Sequence, residues 1–249
     1  MRHRSRGARG IHTGAMTRRA TLVLLLLLTA TGAAVIGLRN GYFAIPEQWN
    51  PWTPLRISES PNLLTRFKLA RLNDEGNLCR DVLADTDMRF DLIADEQTGE
   101  QCGFRDAVRV RATPTEVGVA FALSCRAAVS LALWERHSVQ PAALHHFGQP
   151  MRRFEHFGSY ACRNVYGRPA ATRSRHASAE AWDVAGFVLE DGTRIRLARG
   201  WEGSGPEAAF LRQVRDGACQ FFDGVLSPDY NAAHHDHLHL DRGPFRMCR

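Results

Sequence analysis

Trp182-Asp183-Val184-Ala185-Gly186-Phe187-Val188-Leu189-Glu190-Asp191-Gly192-Thr193-Arg194-Ile195-Arg196-Leu197 reads as a two-stranded ribbon. Residues 182–189 are apolar and alternating, Asp191-Gly192 suits a tight hairpin turn, and residues 193–197 alternate again. Upstream, residues 108–112 form a short alternating segment ahead of Pro114, which predicts a strand entering a turn. Residues 61–72 suit a short helix. Val119, Ala122, Leu123, Ala127, Leu131 and Trp134 recur at three- and four-residue spacing, predicting a core helix that runs toward Pro141. Downstream, residues 207–222 repeat apolar side chains at Phe210, Leu211, Val214, Ala218 and Phe222, an amphipathic helix that turns Cys219 inward. Residues 235–240 form a last short alternating segment. Helices mixed with antiparallel strands, without repeating strand–helix–strand units, predict an α+β domain.

The 249 residues suffice for one substantial domain and a short extension. The net charge of +6 is local: residues 1–39 hold seven arginines and no acid, leaving 25 basic against 26 acidic side chains. A near-neutral folded part argues against nucleic acid as a partner. The 19 apolar residues 20–38 match a bilayer core of ~30 Å at ~1.5 Å per helical residue. Arginines crowd their N-terminal side, which keeps that end in the cytoplasm and exports everything after Arg39. The expected organisation is a cytoplasmic basic tail (1–19), a signal-anchor (20–38), a juxtamembrane linker (39–60) rich in proline and tryptophan, and a main folded domain (61–249). Gly32-Ala33-Ala34 offers a cleaved signal peptide as the alternative. All six cysteines fall on the exported side without a Cys-x-x-Cys pair, so they predict disulfide staples rather than a thiolate metal site. The preferred pairing is Cys79 with Cys102, Cys162 with Cys219, and Cys125 with Cys248.

Four of the eleven histidines crowd into His234, His235, His237 and His239. In an extended segment His237 and His239 share a face, and His235 joins them if the strand starts early enough. A second element, Ser174-Arg175-His176-Ala177-Ser178-Ala179-Glu180-Ala181-Trp182-Asp183, places a histidine in a loop and an aspartate early in the first ribbon strand. Two imidazoles and a carboxylate with one open position are the donor set of a catalytic zinc site.

Ser-x-His-x-x-(Gly or Ala)-x-Ala-x-Asp followed by His-x-His resembles the zinc peptidases that group lysostaphin-type, D-alanyl-D-alanine and hedgehog-like folds. His234-x-x-His237-x-His239 is similar to the closing motif of the penicillin-insensitive murein endopeptidases. From about Cys79 to Cys248 the chain also resembles the bacterial extensin-like C-terminal domain, through Ser159-Tyr160-Ala161-Cys162-Arg163, residues 183–187 and Pro228-Asp229-Tyr230. The resemblance implies a small antiparallel sheet that carries the metal site between flanking helices, with Zn2+ held by His176, Asp183 and His239. It also implies that His237 is the general base, that His234 orients it or stabilises an oxyanion, and that Arg163 binds an oxyanion or a substrate carboxylate. Asp236 is the alternative base. Ala179 stands where the family carries glycine, which is tolerable if φ there is negative. The implied function is hydrolysis of peptidoglycan stem peptides, as a D,D-endopeptidase or carboxypeptidase using metal-activated water, from an inner-membrane tether with the domain in the periplasm. A non-catalytic envelope protein that binds zinc and peptidoglycan peptides is the competing reading.

Overall fold

The computed structural model describes residues 18–73 and 75–249; of the expected basic tail, residues 1–17 lie outside them. The chain divides into two compact units, Met1–Glu47 and Gln48–Arg249. The first contains helix α1 (Arg18–Arg39), whose segment Ala20–Gly37 is long and apolar enough to cross a membrane. The second begins inside the expected linker: Leu55 and Ile57 are buried in the main core. Arg71 donates to the carbonyls of Pro51 and Trp52, which lays this segment along α2 (Thr65–Arg71).

After α3 (Gly76–Ala84) come β1 (Arg89–Leu92), β2 (Glu96–Gly99), β3 (Cys102–Phe104), β4 (Ala107–Ala112) and β5 (Glu116–Ser124). Helices α4 (Cys125–Trp134) and α5 (Gln140–Phe147) follow, joined by one π-turn over Glu135–Val139. Next are β6 (Met151–Gly158), β7 (Ala181–Leu189), β8 (Arg194–Arg196), the short α6 (Leu197–Gly200) and α7 (Pro206–Phe221). The chain closes with β9 (Gly224–Leu226), β10 (Leu238–Asp241) and β11 (Met247–Cys248). Among the described residues β1, β4, β5, β6, β7, β10, β9 and β11 adjoin in that order, with β8 also pairing β7, so the sheet has nine strands and is larger than expected. β2 and β3 form a separate ribbon.

The ribbon of 182–197 is present as read. Asp191 accepts from the Thr193 amide at 2.8 Å, and Gly192 supplies the positive φ of 89° that the turn requires. The helix expected from Val119 onward is corrected, because residues up to Ser124 are strand. Their alternate residues Val117, Phe121 and Leu123 are buried, and Phe121 and Leu123 register against Val110 and Val108 of β4. The helical spacing holds only from Cys125. β7 is buried along almost its whole length, which fits a strand near the middle of a sheet covered on both faces. Trp182 stacks on Phe121 and meets Phe154 edge to face, while Trp134 donates its indole N–H to the Val214 carbonyl of α7. Such aromatic packing fixes the position of Asp183, the neighbour of Trp182 on the strand.

Three disulfides are present, but the expected pairing is wrong. The bonds join Cys79 to Cys125, Cys102 to Cys162, and Cys219 to Cys248. Cys79 lies on α3, which packs on α4, and Cys219 lies near the end of α7, which packs beside β11; neither neighbour relation can be read before the sheet order is known. Replacing Cys219 and Cys248 together by alanine removes a cross-link over 29 residues and is expected to lower unfolding free energy by about 3–4 kcal/mol. Urea denaturation of the variant checks this, with the other two bonds kept intact.

Candidate metal centre

β10 pairs antiparallel with β7 so that His239 lies directly opposite Asp183. Directly opposed residues project on the same face of a sheet, which brings imidazole and carboxylate together without help from a loop. Asp183 Oδ1 lies 2.9 Å from His239 Nδ1. His176 arrives from a 3-10 turn, Arg175–Ser178, whose start is capped by the Ser174 hydroxyl accepting from the His176 amide. Its Nε2 lies 3.1 Å from Asp183 Oδ2 and 3.2 Å from His239 Nδ1. One donor atom from each of the three residues lies within 4.8 Å of the others, and all three side chains are buried.

The outer nitrogens decide what faces inward. His176 Nδ1 can only donate to the Ser159 carbonyl, and His239 Nε2–H donates to the Asp241 carboxylate at 3.1 Å. With those bonds made, each ring can turn a free lone pair toward Asp183 once the protons shared with that carboxylate are gone, and three electron-rich groups then face one another in a buried space. So arranged, they could hold a cation at the centre. Imidazole nitrogens oriented from behind by a carbonyl and a carboxylate are the donor set that zinc takes, so the residues present fit that ion.

In the metal-free state a proton supplies the positive charge. Burial opposes a charged His239, but hydrogen bonds to Asp183 and Asp241 and their charges outweigh it and push its pKa up to about 9. Burial would likewise raise the Asp183 carboxyl, yet hydrogen bonds from His176 and His239 hold it far below the usual carboxylate range. Burial pulls the partly buried Asp241 carboxyl upward, but the hydrogen bond and charge of His239, the Gly243 amide and Arg175 hold it below its ordinary value.

Asp241 is the residue that sequence reasoning missed. It lies two positions after His239 on the same strand, so strand alternation alone would have flagged it. Its carboxylate fits because Gly224 lies opposite on β9, where a methyl group would overlap it. If zinc is the ion held here, Gly224→Ala and Asp241→Asn are both expected to weaken its affinity by roughly 10–100-fold, the usual effect of losing a partner behind a ligating histidine. Competition against a chromophoric chelator measures this.

The remaining predicted residues also converge on this cleft, which has a volume of about 440 Å³. His237 precedes β10 rather than lying on it; its Nδ1–H donates to Asp236 at 2.9 Å, and its Nε2 lies 3.7 Å from Asp183 Oδ1. The strand expected from 235 starts only at Leu238, after a 3-10 turn, Ala232–His234, in which His234 is buried while His235 is exposed. Asn231 Oδ1 accepts from the Ala233 amide, so the His234 Nδ1 that meets the same oxygen at 2.8 Å carries its proton. Burial first, then the charges of His237 and His239, lower the His234 pKa to about 4. Arg163 Nη2 lies 3.9 Å from Asp183 Oδ2 on a largely exposed side chain. Ala179 adopts a left-handed conformation with φ 53°, so the condition under which alanine replaces glycine there without strain is not met; its methyl is buried in a small cluster with Phe104 and Ala107.

The family model for the extensin-like protein C-terminus matches residues 77–249, and the chain belongs to this family. Neither the curated proteins nor the solved structures gave a match.

Proposed function

We propose that this chain is a zinc-dependent peptidoglycan peptidase, a D,D-endopeptidase or carboxypeptidase that hydrolyses stem-peptide bonds. The observation that carries this reading is the convergence of two inward-facing imidazole nitrogens and the Asp183 carboxylate in a cleft beside a third, separately oriented histidine. In this reading the central sheet carries the metal site through Asp183 and His239, in a hedgehog/D-Ala-D-Ala-peptidase-like arrangement.

His176, Asp183 and His239 would hold the zinc. The chemistry zinc supplies when bound is polarisation of a carbonyl and a lowered pKa for water, to about 7. His237, its Nδ1–H given to Asp236, turns Nε2 toward the centre, where it takes a proton from the attacking water and returns it to the leaving amine. Asp236 thus positions the base instead of serving as one. His234 is neutral and offers an acceptor nitrogen, which suits an N–H or O–H of the substrate better than an oxyanion. Arg163 is left to supply donors to the oxyanion or to a terminal carboxylate.

The N-terminal helix is the signal-anchor in this reading, with the following domain in the periplasm at the inner membrane, where peptidoglycan is within reach. The arginine asymmetry and three disulfides support that placement. Incubation of the full chain with defined muropeptides, followed by mass spectrometry, tests the function. Cleavage is expected to stop with chelator and return with zinc. Intact muropeptides at full zinc occupancy would instead support a zinc-containing binding protein.

A further inference from the structure

Four large apolar side chains near the start of the second unit are solvent-exposed: Trp49 (48%), Trp52 (75%), Leu63 (90%) and Phe67 (45%). Scattered exposed hydrophobics are ordinary, but these are gathered by specific bonds. Asn62 donates to the Gln48 carbonyl at 2.8 Å, so the segment carrying the tryptophans lies beside the one carrying Leu63. Arg71 holds the Pro51 and Trp52 carbonyls, and Lys68 donates to the Thr53 hydroxyl. The Trp52 and Phe67 rings meet edge to face at 6.4 Å, and Leu63 lies in the turn that leads into the helix carrying Phe67. The backbone is thus pinned while the rings point outward. Trp134, Trp182 and Trp201, by contrast, are at most 2% exposed.

We propose that Trp49, Trp52, Leu63 and Phe67 form a lipid-contacting surface that seats in the headgroup layer of the bilayer. The inference rests on the membrane-anchored reading of α1. Nine residues lie between Arg39, the end of that helix, and Trp49, so the connection reaches at most about 35 Å even when fully extended. A surface tethered that closely meets the bilayer at high effective concentration. Tryptophan rings favour the interface because an apolar body and a polar N–H are both satisfied there. Seating the patch would fix the height and tilt of the domain above the membrane.

The test reconstitutes the full chain into vesicles of phosphatidylcholine and phosphatidylglycerol, with plain or brominated acyl chains, alongside a W49F/W52F variant. The chain is expected to float with the vesicles. Brominated lipid should lower its tryptophan emission by up to about two fifths, the share of two tryptophans among five, and should leave the emission of the variant unchanged. Flotation with equal emission in both lipids, and with Trp49 and Trp52 quenched by aqueous acrylamide, would overturn the surface while leaving the anchor standing. Failure to float would overturn both.

Discussion

His239→Ala is expected to lose zinc, whereas His237→Ala keeps it and loses turnover. The two residues are separated by one position and both face the cleft, but their nitrogens are committed differently. His239 Nδ1 points at Asp183 and His176, with Asp241 behind the ring, so its removal takes away one of three donors. A four-ligand zinc site is worth roughly 10–16 kcal/mol, about 3 kcal/mol per ligand, so affinity should fall on the order of 100-fold or more. His237 is held by Asp236 and stands 3.7 Å from Asp183, outside the group of three. Its loss should cost about 10²–10⁴-fold in kcat with the metal retained, the range for a positioned general base. Metal analysis and muropeptide turnover on the same preparations separate the two effects. Equal zinc content with full turnover in both variants would contradict the assignment.

Chelator-stripped protein is expected to lose stability as pH rises from about 6.5 to about 9. The His239 pKa lies above its ordinary value of 6.5, so the folded chain holds a proton that the unfolded chain releases. The stabilisation is complete below 6.5 and is lost as pH climbs through the folded value. A shift of this size corresponds to on the order of 3 kcal/mol, and it belongs to the histidine–carboxylate group as a whole. Zinc competes with that same proton, so its affinity should climb across the same window and flatten above it. Below pH 6.5 the sign reverses, because His234, lowered to about 4, must take up a proton that burial disfavours. Urea denaturation of the stripped full chain in detergent, at pH 6.5 and 9.5, reads the first effect, and H239Q should flatten it. A wild-type protein equally stable at both values would contradict the buried cluster.

Strong local signals were legible in the sequence. The 182–197 ribbon could be read because its alternation is bounded by Asp191-Gly192, and the helix of 207–222 because its apolar face recurs over four turns. His176, Asp183 and His239 stand out by residue type together with the family resemblance, and the fold brings their donor atoms within 4.8 Å of one another. What escaped depended on the sheet order. β6 carries Arg152, Arg153, Glu155 and His156 among its buried residues, so it resembles a polar connection until β7 pairs with it. Residues 119–124 satisfy helical and strand spacing alike, and pairing with β4 decides between them. The same holds for the cysteines, whose partners are set by α3 against α4 and by α7 against β11. The 3-10 turn that buries His234 precedes the strand and delays its start to Leu238; its local signal is Asn231, whose side chain caps the turn by accepting from the Ala233 amide.

A zinc titration of the stripped full chain tests the proposed cation site at His176, Asp183 and His239 most directly. Wild-type protein should take up one equivalent and release protons as it does so, while Asp183→Ala should take up none at the same free zinc. Failure of the wild type to bind, or an undiminished equivalent in Asp183→Ala, would contradict it.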